Sequence, residues 1–180
     1  MGESHALMEI VATHSYRHAE SILSKEYLQE QSEILAILRA ARWYKKPTPK
    51  RRERKGKLVA VLDIWQDATN RKIEQAFRDA GWQIHPRIVS KADSQLAADY
   101  KKGVIQVEVQ LGNMARWYTD VFKFLLSYAA DDIEVGVLVV PMLAMAKRID
   151  ENIVNYERVI RELPHAKMAI TIPIWIIGVA

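Results

Sequence analysis

The chain has 180 residues, of which 49% are apolar and 27% charged, as expected for one globular domain with a substantial core. It contains no cysteine, which excludes disulfides, thiolate catalysis and zinc sites built on cysteine. The net charge of +4 is a mild excess, so its meaning depends on where the basic residues lie.

The first part of the chain combines helical periodicity with a strongly basic segment. Apolar residues at helical spacing predict one or two helices between Tyr16 and Ala41. Residues 45–57 then carry eight basic side chains against one acid, and Pro47 and Pro49 predict a loop or arm. Such a segment either binds a polyanion, since phosphate neutralisation releases counterions, or is a solvated loop without a partner. The candidate DNA contacts in it are Lys50, Arg51, Arg52 and Arg54.

The remaining chain alternates predicted strands and helices. This order predicts an α/β fold with a mixed central β-sheet flanked by helices, in a single domain over residues 1–180. After a strand at residues 58–64 and a helix that ends near Gly81, the predicted elements are a strand at 104–111, a core helix at 114–130, a buried strand at 133–140, a helix between Ile149 and Leu163 with Asp150 near its start, and a last strand at 170–179.

A tight turn at residues 101–103 predicts a hairpin whose second strand has one polar face. Side chains alternate along a strand, so Gln106, Glu108 and Gln110 share that face. Asp99, on the far side of the turn, can come close to Glu108 across the hairpin. Two adjacent carboxylates repel each other, and a divalent cation removes the repulsion. We therefore hypothesise a magnesium (Mg²⁺) site that cleaves a phosphodiester bond.

Each residue type in this hairpin suits part of that chemistry. Asp99 and Glu108 can hold a hard cation, and the backbone carbonyl of Val109 can complete the metal shell. Gln110 can hold a water or a phosphate oxygen, but an amide is neither a base nor a positive charge. The spacing by itself is also found in ordinary surface hairpins. Glu20 is an additional acidic candidate with helix-surface solvation as the simpler explanation.

Two questions about neighbouring residues stay open at this stage. Asp93 is an alternative to Asp99 as the first carboxylate, although it lies farther from the turn. Lys123, on the predicted core helix, faces either a dimer partner or a phosphate, and the sequence does not decide between them.

The residues Asp99, Glu108-Val109-Gln110 and Leu111-Gly112-Asn113 resemble the active-site hairpin of the BglII and BstYI group of type II restriction endonucleases. This group belongs to the PD-(D/E)XK nuclease superfamily and carries glutamine where most members have lysine. The resemblance is close over residues 99–180, moderate over 66–82 and faint elsewhere, including the basic segment.

The resemblance implies a restriction-endonuclease-like core, in which Asp99 and Glu108 ligate Mg²⁺ and Gln110 holds the attacking water. It implies a homodimer that grips double-stranded DNA at a palindrome with a central GATC and leaves four-base 5′ overhangs. By the same resemblance, the base-reading candidates are Asn113, Asp150, Glu151 and Asn152. Amides pair with adenine and acids accept from cytosine, so a GATC core fits these residue types.

Two other functions remain open from the sequence. One is a DNA-binding relative that has lost cleavage, with Gln110 as its mark, and the other is a structure-specific repair nuclease of the same superfamily. We recognise neither a signal peptide nor a membrane-spanning run, and so expect a cytoplasmic protein with no membrane partner. The resemblance to restriction endonucleases implies a prokaryotic one.

Overall fold

The computed structural model describes residues 5–55, 57–88 and 95–180, but not the side chains of Arg54 and Val59. Within these residues the chain forms nine strands and six α-helices. The strands are β1 (His5–Leu7), β2 (Ile10–Tyr16), β3 (Arg42–Arg54), β4 (Lys57–Ile64), β5 (Gln83–Ile84), β6 (Tyr100–Lys102), β7 (Ile105–Val109), β8 (Val135–Pro141) and β9 (Ile174–Val179). The helices are α1 (Ala19–Glu26), α2 (Leu28–Ala40), α3 (Gln66–Asp79), α4 (Arg116–Ala129), α5 (Leu143–Ile149) and α6 (Tyr156–Glu162), with a short 3₁₀ helix at Leu163–Ala166.

A six-stranded mixed sheet forms the centre of the protein, in the order β2-β9-β8-β7-β6-β5. The three central strands β7, β8 and β9 are parallel, and the remaining pairs are antiparallel. Every residue of these three strands is buried, as expected for strands covered by helices on both faces. The predicted α/β fold with a mixed central sheet is therefore confirmed.

The two faces of the sheet bury different sets of helices. Helices α1, α2, α3 and α5 pack their apolar residues with Val135, Val137 and Val139 of β8. Helices α4 and α6 pack with Leu138 and Val140 on the opposite face. Since β7 and β8 are parallel and Glu108 lies opposite Leu138, the polar face of β7 lies on the α4 side. The fold thereby places a line of polar side chains beneath a core helix.

The basic segment 45–57, predicted to be a loop or arm, is ordered secondary structure. Its described residues lie in β3, at the turn residue Lys55 and at the start of β4, within a separate three-stranded sheet of order β1-β3-β4. The prolines do not break the strand because the register with β4 shifts between Lys45 and Lys50, around Pro47 and Pro49. An irregularity of this kind tolerates residues that lack an N–H group.

The helix predicted between Ile149 and Leu163 starts later than expected. Asp150 follows the end of α5, and α6 begins at Tyr156, where the Asn155 side chain accepts a hydrogen bond from the Arg158 N–H at 3.0 Å. The apolar residues at helical spacing had extended the predicted helix over the loop that precedes α6, and helix α5 was not predicted. No helix in the described part of the chain is long and apolar enough to cross a membrane.

Helix α4 buries a narrower face than its apolar pattern predicts. Its buried residues are Trp117, Asp120, Val121, Phe124 and Ser127. In contrast, Tyr118 and Phe122, which have helical spacing with the apolar residues of the predicted core helix at 114–130, are exposed. The apolar pattern counted only apolar residues, and so left out the carboxylate of Asp120 in the buried stripe.

We predict that Gly136→Ala weakens the packing between β8 and α4. A Cβ atom at Gly136 would lie 2.8–2.9 Å from three ring carbons of Phe124, which is closer than ordinary contacts allow. Overpacking of this kind should lower the free energy of unfolding by about 1–3 kcal/mol, as measured by urea denaturation.

The double mutant provides the control for this steric explanation. Phe124→Leu removes the ring, so Gly136→Ala should cost less in that background than in the wild type. Additive costs of the two substitutions would show that the contact with Phe124 is not the cause.

Candidate active site

The hairpin of β6 and β7 brings two acidic residues together at the edge of the parallel strands. Tyr100 lies opposite Val107, so Asp99 lies next to Glu108 across the pair. The carboxylate of Asp99 accepts a hydrogen bond from the backbone N–H of Val109 at 2.8 Å. This bond fixes one carboxylate beside the backbone that separates Glu108 from Gln110.

Glu108 is completely buried, with an exposed fraction of 0%. Its Oε1 accepts a hydrogen bond from Gln106 Nε2 at 2.8 Å, and its Oε2 accepts one from Lys123 Nζ at 2.7 Å. A buried carboxylate requires such partners, because isolated charge is costly away from water. Both oxygens of Glu108 are thus engaged by side chains of the protein.

Helix α4 contributes two further charged residues to this region. Lys123 Nζ lies 3.2 Å from Asp120 Oδ1 and therefore bridges Asp120 and Glu108. Gln110 Nε2 donates to Asp120 Oδ2 at 2.6 Å, and Gln110 Oε1 accepts from the Gly112 N–H at 2.9 Å. The amide of Gln110 is consequently held at both ends.

Burial dominates the protonation of these acids. It raises the pKa of Glu108 well above its usual value, and the nearby charge of Asp99 raises it further. Burial also raises the pKa of Asp99 and of Asp120, although the Val109 N–H lowers the former. Burial lowers the pKa of Lys123, but the carboxylates of Glu108 and Asp120 more than offset this and leave it raised. The region is short of positive charge.

A cavity of about 380 Å³ opens beside the hairpin. Its wall includes Asp99, Val109, Gln110, Asp120 and Lys123, and also Asn70 from α3. Among the described residues, Asn70 Oδ1 is buried without a hydrogen-bond partner. An orphaned acceptor at the edge of a polar cavity indicates a place for water or another donor.

The donor set fits a hard divalent cation. The described residues contain no group of three His, Cys, Asp or Glu side chains placed to hold a metal. Mg²⁺, however, is commonly held by one or two carboxylates together with water and substrate phosphates. Asp99, Glu108 and the carbonyl of Val109 supply oxygen donors of the required kind. Burial and the nearby charge of Asp99 raise the pKa of Glu108, so a cation at this place would stabilise its ionised form.

The four predicted base-reading residues lie side by side on the surface. Asn113, Asp150, Glu151 and Asn152 are all exposed. Asn113 forms an isolated β-bridge with Ile153. The Met114 N–H also donates to the Asn152 carbonyl at 2.7 Å. The loop after α5 is therefore joined to the end of the active-site hairpin.

The basic strand β3 reaches the same loop. Lys50, Arg51 and Arg52 are exposed, and Arg52 forms an ion pair with Glu151. The side chain of Arg54, also predicted to contact DNA, lies outside the described residues. The cationic strand and the predicted base readers thus form one continuous surface.

The two remaining acidic candidates do not join the described site. Glu20 lies on α1, whose buried residues pack on the opposite face of the sheet from α4, and it is not among the described residues that line the cavity. Asp93, the alternative to Asp99, lies outside the described residues.

Sequence reasoning missed Asp120 and left the direction of Lys123 open. Both lie on α4 and point to the hairpin rather than away from the protein. The available signal was the position of Asp120, three residues after Trp117 and four before Phe124, on the stripe that a helix buries. An acid on such a stripe needs a buried partner, and Lys123 lies three residues farther on.

Comparison with known proteins supports the resemblance seen in the sequence. The protein-family model described as restriction endonuclease BglII/BglIII matches residues 11–179. A crystal structure of BglII complexed with a DNA 16-mer has a TM-score of 0.69 and 17% identity, and the match covers 93% of this chain and 74% of that chain. Free BglII has a TM-score of 0.62 and 17% identity, with 93% and 77% covered.

No curated protein matches the chain significantly. The two structural matches nevertheless show that the fold is that of BglII, and the family match spans nearly all of the sequence. The chain therefore belongs to the BglII/BglIII family of restriction endonucleases and is a type II site-specific deoxyribonuclease.

Proposed function

We propose that the protein is a Mg²⁺-dependent homodimeric restriction endonuclease that cuts double-stranded DNA at a palindrome with a GATC core and leaves 5′ overhangs. We further propose that residues 1–180 act as one endonuclease domain, in the cytoplasm of a prokaryote. The observation that carries the proposal is the pairing of Asp99 with buried Glu108 on one hairpin, beside a polar cavity.

The hairpin residues have separate roles in the proposed hydrolysis. Asp99, Glu108 and the Val109 carbonyl would hold the metal, and the hydrogen bond from the Val109 N–H fixes the orientation of the Asp99 carboxylate. Bound Mg²⁺ supplies a Lewis acid that lowers the pKa of water and stabilises charge on the phosphate. Gln110 lies at the cavity wall and already bonds Asp120 and Gly112, so it positions the water or a phosphate oxygen through the second N–H or the second lone pair of its amide.

The exposed loop and hairpin end suit the reading of base edges. Asn113 and Asn152 carry amides, which pair bidentately with adenine in the major groove. Asp150 and Glu151 carry carboxylates, which accept from the amino group of cytosine. Since Glu151 is paired with Arg52, DNA binding would exchange this ion pair for contacts with bases and phosphates. These residue types support a core that contains adenine and cytosine on each strand.

Helix α4 offers a surface for a second copy of the chain. Tyr118 and Phe122 are 49% and 52% exposed, one helical turn apart. Tyr128 lies farther along the helix and is 37% exposed. Adjacent exposed aromatic residues are typical of protein interfaces, and two identical helices can bury them against each other. A palindromic site requires the two-fold symmetry that such a contact provides.

We predict that the protein cuts a plasmid into discrete fragments in MgCl₂, and that sequencing of the fragment ends shows a palindrome with a central GATC and 5′ overhangs.

Asp99→Asn and Glu108→Gln should each lower the cleavage rate by about 10³-fold or more, since each removes a charged metal ligand. Binding of duplex DNA should remain within about threefold of wild type, because neither residue lies on the exposed surface.

Asp79→Asn is the matched control, since Asp79 is exposed on α3 and lies outside the cavity. It should leave cleavage unchanged. Absence of cutting with any divalent metal, or cutting restricted to branched or mismatched DNA, would contradict the proposed function. Full activity of either active-site variant would contradict the site.

We predict that the double mutant Lys50→Gln/Arg51→Gln binds DNA with a weaker dependence on salt. Each lost phosphate contact should reduce the slope of log K against log salt by about 0.9. The measurement is fluorescence anisotropy over a salt series, in the Asp99→Asn background. Lys25→Gln/Lys167→Gln removes two exposed charges far from β3 in sequence and should leave the slope unchanged. An unaltered slope in the β3 mutant would exclude this strand from phosphate binding.

We predict that Phe122→Glu disrupts the dimer. A charge placed at the centre of an aromatic contact should weaken association by about 2 kcal/mol or more, as measured by sedimentation velocity over a concentration series. Met168→Glu is the control, because Met168 is 89% exposed and lies outside α4. Equal effects of the two substitutions, or a wild-type monomer at every concentration, would refute the role of α4.

A further inference from the structure

Lys123 separates the buried carboxylate of Glu108 from the active-site cavity. Glu108 is 0% exposed, whereas Lys123 lines the cavity and has a side chain that is 13% exposed. The ammonium contacts Glu108 Oε2 at 2.7 Å, and Gln106 occupies Oε1. A metal ion that takes Glu108 Oε2 as a ligand therefore has to displace this ammonium.

The charges around Lys123 do not balance. Asp99, Glu108 and Asp120 place three carboxyl groups around one ammonium, that of Lys123, a formal charge of −2 in the fully ionised state that would bind a metal. One divalent cation would restore neutrality if the ammonium remained nearby. The region is thus built to accept a second source of positive charge in addition to Lys123.

We propose that Lys123 is a displaceable internal cation: it neutralises Glu108 in the metal-free enzyme and yields this carboxylate to the divalent metal ion, while it keeps its contact with Asp120. The proposal rests on the proposed function, since it takes Asp99 and Glu108 as the metal ligands. It assigns to Lys123 a positive charge beside Glu108, which the amide of Gln110 in the hairpin motif cannot provide.

The geometry provides a second partner for the displaced ammonium. Asp120 Oδ1 lies 3.2 Å from Lys123 Nζ, one helical turn earlier on the same helix. Gln110 holds the other oxygen of Asp120 at 2.6 Å, so Asp120 cannot follow Glu108 toward the metal without breaking that bond. The long, flexible stem of lysine allows the ammonium to shift between neighbouring acceptors. Lys123 can therefore release Glu108 and remain paired.

Binding of metal to the DNA-free protein tests this exchange directly. Lys123→Met keeps the aliphatic stem and removes the competing charge. The variant should bind Mg²⁺ about tenfold more tightly than wild type by isothermal titration calorimetry of the EDTA-treated protein, a change equivalent to about 1.4 kcal/mol. It should also melt at a lower temperature in EDTA and gain more from added MgCl₂, because unneutralised carboxylates repel each other.

Two variants separate this role from a general effect on folding. Lys123→Arg keeps the positive charge and should bind Mg²⁺ with an affinity close to that of wild type. Lys102→Met removes the ammonium that contacts Glu33 at 2.7 Å, a partly buried pair away from the cavity. It should lower the melting temperature in EDTA and in MgCl₂ equally and leave metal affinity unchanged.

Each alternative outcome is decisive. Unchanged or weaker Mg²⁺ binding by Lys123→Met would overturn the proposal and make Lys123 an ordinary structural ion pair. Absence of Mg²⁺ binding by both wild type and Lys123→Met would overturn it as well. The proposed function fails by a different result, the absence of sequence-defined cleavage by the wild type, and this leaves the metal-affinity comparison between the variants intact.

Discussion

The burial of the Glu108 carboxylate under α4 is the constraint on which the site depends. A carboxylate without access to water requires charged or hydrogen-bonding partners, and Lys123 and Gln106 provide them. These contacts fix where α4 must lie relative to β7. The same burial raises the pKa of Glu108, which leaves a place in the protein where added positive charge is stabilising. The placement of α4 and the preference for added positive charge therefore both result from the burial of this carboxylate.

The parallel strands hold this arrangement in place. β7, β8 and β9 are buried on both faces, so the polar side of β7 cannot turn to solvent without disruption of the core. Gly136, opposite Gln106 on β8, leaves room for the ring of Phe124, and this close contact sets the approach of α4 to the sheet. The position of Lys123 therefore depends on the packing of Phe124, the next residue of the helix.

The surface proposed to contact DNA depends on connections between distant parts of the chain. Asn113 bridges to Ile153, and Arg52 pairs with Glu151, so that β3, the loop after α5 and the active-site hairpin adjoin. A second link, from Arg148 to Asp63 at 2.6 Å, ties α5 to β4. A cationic strand and the loop proposed to read bases, held together in this way, can orient a duplex with respect to the cavity.

The sequence by itself determined the α/β class, the hairpin with Asp99 beside Glu108 and the resemblance to the BglII group, because alternation along a strand and local spacing are properties of neighbouring residues. It misjudged the basic segment, since pairing with β4 overrides the effect of two prolines. It also extended the helix that contains α6 over the preceding loop and did not predict α5. Only the tertiary structure decided that Asp120 and Lys123 face the hairpin, because the direction of a charged side chain on a core helix depends on what packs against that helix, and local sequence does not specify it.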